Sequence, residues 1–258
     1  MALINLGWAS SFFWDGRSPT LEDQIRDPVP HPDEMNLPWP EAVERLQEDP
    51  WDKGYPQLFF DAFGTTEISE DLIVKAMAQF VRTMISSDSK FDRWRRGEVE
   101  LTASEYNGYQ MFLREGGDPE VVPGGQFGGD CFHCHGEAGL QFTDHLFHNN
   151  GLDPTFERDA GRAGITGNPL DSGLFRTPTL RNVALSAPYM HDGRFATLED
   201  VIEHYNSGGV ASSTIDPFMK YTTGGLALAP SQKADLIAFL HTLTDTLFIT
   251  KPEFQDPH

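Results

Sequence analysis

A chain of 258 residues with 39% hydrophobic residues is long enough to bury one large core or two modest ones. Its formal net charge of −20 argues against nucleic acid and anionic membranes as partners, and fits a basic partner or simple solubility. No apolar run nears the roughly 18 residues of a membrane span, and the two cysteines share one short motif, which leaves no disulfide framework.

Residues 1–17 open in aromatic and apolar sequence (Trp8, Phe12, Phe13, Trp14) that reads as domain interior. No basic stretch followed by an apolar one marks a signal peptide, and Met1 reads as an internal methionine. Thr20 to Asp23, after Ser18-Pro19, resembles a capping box and predicts a short helix over LEDQI. Five prolines between Asp27 and Pro40 predict an extended, ordered loop of the kind that carries function. Short helices follow over 41–47 and 57–63, the first opened by Pro40. The clearest helix is 69–87, with Leu72, Ile73, Ala76, Phe80, Val81 and Met84 expected on its core face. FDRWRRGEVE reads as a charged turn, and Thr102-Ala103-Ser104-Glu105 is a capping box opening a helix to about 114.

The strongest signal is Cys131-Phe132-His133-Cys134-His135. A C-x-x-C-H run is the attachment motif for c-type haem: two thiols add to the vinyl groups and the adjacent histidine becomes the proximal iron ligand. Two spacer residues let one short turn present both sulfurs to one porphyrin edge. The competing reading is a zinc site completed by His145 and His148, whose spacings fall just short of a zinc finger. Beyond His135 the sequence is rich in Gly, Pro, Asn and Asp as far as about Thr179, without helical or strand periodicity, as expected where a chain wraps a cofactor. Thr197 and Asp200 cap a helix over TLEDVIEHYN that Gly208-Gly209 ends, and 230–243 forms a last amphipathic helix. With no convincing strand, the class is mainly α. Candidates for the distal iron ligand are Met190, His191 and Tyr205; a thioether favours ferrous iron, a phenolate the higher oxidation states. His148 is a further histidine expected near the haem or in a structural role.

FFWDGRSPTLEDQ, the proline loop ending HPDEMN, FDRWRRGE, GGDCFHCHGE and FRTPTLRNVALSAPYMHDGRFATLEDVIEHY together resemble the bacterial dihaem cytochrome c peroxidases and the related MauG enzymes. The resemblance implies two cytochrome c-like domains, one with a peroxide-binding haem and one with a haem for electron storage or transfer. This sequence holds a single C-x-x-C-H. Residues 1–95 are therefore expected to be a remnant of the first, peroxidatic haem domain with the interdomain segment, and 96–258 a cytochrome c-type haem domain with long irregular loops. By the same resemblance Trp14 is the aromatic bridge between haems, while Gln24, Pro28 and Glu34 line the peroxide pocket, Glu34 as its acid/base group. Cys131, Cys134 and His135 hold the haem, Tyr205 is its distal ligand with Met190 the alternative, and Arg93, Arg95 and Arg96 are either solvated or partners of the haem propionates. The His191-Asp192-Gly193 turn supports the pocket through hydrogen bonds. Ser186 and Pro188 match carbonyl ligands of an interdomain calcium.

The resemblance implies a periplasmic oxidoreductase that uses hydrogen peroxide as oxidant and takes electrons from a small cytochrome c or cupredoxin, with no nucleic acid or membrane span and with a homodimer compatible. Haem c is attached outside the cytoplasmic membrane in bacteria, so the periplasm is expected despite the missing export signal. The alternatives are a monohaem electron-transfer protein without peroxidase activity and, third, a zinc-binding interaction module.

Overall fold

The computed structural model describes residues 2–118, 120 and 125–255, and its helices are joined by long irregular segments. The chain divides into two compact units. The smaller comprises Leu3–Phe13 and Arg17–Met84; the larger holds Trp14–Gly16 and the described residues from Ile85 onward, with Ala2.

Four helices build the smaller unit: α1 (Leu21–Arg26), α2 (Trp39–Glu48), α3 (Tyr55–Phe63) and α4 (Glu70–Thr83). Their starts follow from neighbouring residues. Thr20 accepts from the Asp23 amide at α1, Pro38 and Pro40 set the entry to α2, and Ser69 accepts from the Leu72 amide at α4. One cluster unites Leu6, Phe12, Leu21 and Ile25 with Val74, Ala78 and Val81, and a second unites Phe59, Ile68 and Ile73. Since α4 serves both clusters, its buried face runs through Ile73, Val74, Ala78 and Val81, whereas Phe80, expected in the core, is 48% exposed.

The proline loop is not extended. Successive turns fold it back on itself: Met35 and Leu37 donate to the carbonyls of Pro28 and Val29, and Glu34 and Asn36 donate to that of His31. Prolines lack an N–H but keep a carbonyl, so the intervening residues supply the donors.

The larger unit contains α5 (Lys90–Arg95), α6 (Ala103–Phe112), α7 (Ala163–Thr166), α8 (Leu198–Ser207), α9 (Pro230–Thr242) and α10 (Thr246–Ile249). One small antiparallel pair joins β1 (Phe147–His148) to β2 (Phe175–Arg176). The stretch expected as a charged turn begins with α5, because Ser89 and Asp92 form a reciprocal capping box; similar boxes open α6 and α8. At the crossing of α6 and α9, Gly108 lets the backbones meet: a Cβ there would lie 1.9 Å from the Asp235 carbonyl oxygen. Phe91, Phe112, Phe142 and Phe239 fill the centre with tilted and edge-on ring contacts 5.1–6.2 Å apart.

Buried polar groups tie the irregular segments to this core. Arg181 donates twice to Asp92, at 2.7 and 2.8 Å, with both side chains 3% exposed. Asp245 Oδ2 accepts from Ser86 Oγ and the amides of Ser87 and Asp88, and Oδ1 from the amide of Phe248. Among the described residues no helix is long and apolar enough to cross a membrane.

Candidate haem pocket

Cys131–His133 is a single 3₁₀ turn entered through Asp130 in the left-handed region (φ 57), and the His135 amide donates to the Cys131 carbonyl at 2.9 Å. This turn puts Cys131, Cys134 and His135 on the wall of one cavity in the larger unit, of about 210 Å³. Gly129 is required beside it, since a Cβ would come within 2.9 Å of Cys131 Sγ. Burial pushes the Cys131 thiol up to about 12, and both cysteines are free and half-buried at the wall. Phe112, Leu180, Val183, Leu198, Ile202 and Leu240 supply much of the remaining wall, which is predominantly apolar.

His135 is oriented from behind. Its Nδ1 lies 3.0 Å from the carbonyl oxygen of fully buried Phe142, which places the proton on Nδ1 and leaves the Nε2 lone pair for a metal. Burial lowers the pKa of the ring, favouring the neutral form that ligates. Also on the wall are Met190 and Tyr205, brought together by one side chain: Asn150 Nδ2 donates to Met190 Sδ at 3.4 Å and to Tyr205 Oη at 3.2 Å. Burial pushes the Tyr205 phenol up to about 12 against the opposing effect of the Asn150 bond. Met190 itself sits at φ 73, outside the usual range for a non-glycine residue. His191 lines the same cavity but stacks on Phe175, with centroids 3.6 Å apart and planes within 10°.

Two charged features of the wall go beyond the sequence reading, which placed His148 near the haem but not its partners. His148 is clamped between carboxylates, with Nδ1 2.6 Å from Asp216 and Nε2 2.8 Å from Asp144. Burial opposes its charge, yet the two bonds prevail and push it up to about 12, so it is an imidazolium. Arg176 is 4% exposed, 3.4 Å from His145 Nδ1, and its amide donates to the carbonyl of Trp14 at 2.8 Å. Trp14 lines the cavity as well.

These placements remove the zinc-finger reading of the cysteines. Among the described residues, the His, Cys, Asp and Glu groups close enough to share an ion are Glu115, Asp130 and His133, and neither cysteine is among them. The arginines of α5 and its C-terminal turn are engaged at the surface, Arg93 with Glu98, Arg95 with Glu137, and Arg96 with Asp88 and Glu98. Gln24, Pro28 and Glu34 belong to the smaller unit; Gln24 and Pro28 are half-buried and Glu34 is exposed. Ser186 and Pro188 are exposed on the turn after Val183, where Ser186 Oγ donates to the Val183 carbonyl.

Sequence reasoning missed Asn150, Arg176 and the Asp144–His148–Asp216 clamp. Asn150 lies in an Asn-Asn-Gly run that reads as an ordinary turn. Asp144 and His148 are four residues apart, but Asp216 comes from a distant loop. Two thiols, an imidazole with a free Nε2, an apolar wall and a buried guanidinium suited to a propionate form a donor set that fits haem c.

Comparison with known proteins agrees. The family model described as "Di-haem cytochrome c peroxidase" matches residues 1–100, which stops short of the C-x-x-C-H turn. The methylamine utilization protein MauG of Methylorubrum extorquens is 35% identical over 254 residues, covering 97% of this chain and 66% of that protein. The cytochrome c551 peroxidase of Nitrosomonas europaea is 32% identical over 263 residues, covering 99% and 66%. Among solved structures, a MauG-like protein associated with microbial copper homeostasis superposes with a TM-score of 0.84 at 34% identity, covering 99% of this chain and 78% of that one. The chain thus spans about two thirds of the length of the curated relatives it matches.

Proposed function

This chain belongs to the dihaem cytochrome c peroxidase/MauG family, and from that premise we propose that its larger unit carries one haem c in an oxidoreductase driven by hydrogen peroxide. Cys131 and Cys134 would hold the haem through thioethers, His135 would be the proximal ligand and Tyr205 the distal one. When bound, the haem supplies an iron that exchanges single electrons. The observation that carries the reading is the His135 ring, whose Nδ1 is anchored on the Phe142 carbonyl while Nε2 is left to the cavity.

The chain's own side chains do the rest. Asn150 holds the Tyr205 oxygen by donating to it, which favours the phenolate that binds a metal. Arg176 offers a buried cation to a haem carboxylate. Ile202, buried three residues before Tyr205 on α8, shares its face and keeps water from the ligand.

The remaining assignments rest on the resemblance. Trp14 would pass oxidising equivalents, Gln24, Pro28 and Glu34 would serve peroxide, and Ser186 and Pro188 would contribute to a calcium site. A periplasmic location and a small cytochrome c or cupredoxin as electron donor belong to the same proposal. The exposure of Glu34 favours a second reading, electron transfer without peroxide turnover, because acid/base work at a peroxide calls for a sheltered carboxylate. Steady-state peroxide turnover with a reduced donor separates the two.

Haem absorbance that survives denaturation and does not extract into acidic organic solvent tests the covalent attachment. Redox titration of the wild type and Tyr205→Met tests the ligand. Replacing a phenolate by a thioether raises the potential by on the order of 0.1 V, within the roughly 0.8 V that axial ligands span. An unchanged potential and an unchanged ferric spectrum would exclude Tyr205 and pass the role to Met190.

A further inference from the structure

Next to the haem-attachment turn, Glu115, Asp130 and His133 converge from two stretches of chain. His133 is the second spacer residue of the C-x-x-C-H motif. Its ring is stacked on Phe218, with centroids 4.2 Å apart and planes within 7°, and packs on Phe132 at 4.1 Å, so the direction of Nε2 is fixed. That nitrogen lies 3.2 Å from Glu115 Oε1 and 3.2 Å from Asp130 Oδ1. Nε2 and both Asp130 oxygens are buried without a hydrogen-bond partner. The Asp130 side chain is only 7% exposed.

A buried carboxylate without donors costs several kcal/mol, by order of magnitude, unless something compensates it. The geometry indicates what does. Donor atoms about 2.0–2.2 Å from a tetrahedral ion stand roughly 3.3–3.6 Å apart, close to the two observed separations of 3.2 Å. Lys220 occupies the outer side of the carboxylates, 2.5 Å from Glu115 Oε2 and 3.5 Å from Asp130 Oδ2, and leaves the inner oxygens Oε1 and Oδ1 to His133.

We propose that Glu115, Asp130 and His133 bind a divalent transition-metal ion through Oε1, Oδ1 and Nε2, with water in the fourth position. One imidazole and two carboxylates suit Zn²⁺. Lys220 limits the affinity by placing a positive charge beside the ion. The site shares no residue with the haem ligands, though Asp130 and Phe218 also line the haem cavity, and it needs neither peroxide nor a second haem.

Zinc is the probe of choice because it is redox-silent and leaves the haem spectrum readable. Untagged holoprotein, stripped with a chelator and dialysed, is brought to equilibrium with Zn²⁺, and metal content and haem absorbance are read together. The expected result is one zinc per chain. Glu115→Gln and Asp130→Asn each weaken uptake at least about tenfold, the scale on which even outer-sphere partners matter. Asn tolerates the left-handed conformation, so the second variant keeps the turn. Lys220→Met, which removes the competing charge, binds zinc several-fold more tightly. No stoichiometric uptake by the wild type, or uptake that Glu115→Gln and Asp130→Asn leave unchanged while the haem stays bound, overturns the proposal.

Discussion

The two units solve the same problem differently. In the smaller one, α1 and α4 meet through apolar faces, and its ion pairs, Arg82 with Glu22 and Arg26 with Glu70 and Asp71, stay partly in water. In the larger one the chain circles a cavity, and the segments between helices are fixed by buried carboxylates that gather donors from far apart in the sequence. Where helices can cover one another, periodic apolar faces suffice. Where room must be kept for a cofactor, backbone groups lose their helical partners and polar side chains have to replace them.

The contrast breaks first at Asp92. Asp92→Asn leaves Arg181 buried and uncompensated, and should cost about 3–5 kcal/mol in denaturant unfolding followed by haem absorbance. Acid offers an independent reading of the same pair. Burial works against the Asp92 charge, but the bonds from Arg181 and Ser89 win and hold the carboxyl below its ordinary value. A depressed folded pKa gives stability that is present above the unfolded value of about 3.9 and is lost as pH falls through the folded one. The wild type should therefore lose this increment below about pH 4, and the variant should lack that part of the acid slope.

Asp245→Ala should come next, at about 2–4 kcal/mol, because it strands the amides of Ser87, Asp88 and Phe248 together. The smallest effect belongs to the smaller unit. Glu22→Gln removes a bidentate pair with Arg82 at 2.7 and 2.9 Å, yet should change stability by less than about 1 kcal/mol, since water replaces what is lost. Thermal unfolding by circular dichroism would measure it, and a loss as large as that of Asp92→Asn would erase the distinction between the units.

Legibility in the sequence follows the same division. The caps at Thr20, Thr102 and Thr197 were readable because both partners of each lie within four residues. The C-x-x-C-H turn was readable because its motif has a fixed spacing. Asn150, Arg176 and Asp216 were not, since each acquires meaning only from side chains brought beside it by folding: Tyr205 and Met190 for the first, the cavity wall for the second, His148 for the third. The stripe expected on α4 placed Leu72, Ile73, Val81 and Met84 correctly but also Phe80, because one helix divides its faces between two clusters and one period cannot describe both.

The close crossing at Gly108 also sets an order of events in time. α6 is made before the C-x-x-C-H turn and α9 long after it, so on a chain synthesised from its N-terminus the partner of Gly108 arrives only when the turn and α8 already exist. Until then Phe112 of α6, on the cavity wall, lacks its neighbour Phe239, and the pocket stays open on the side that α9 will close. Docking of α9 thus comes last among the elements that wall the two thiols, and it closes the pocket on that side.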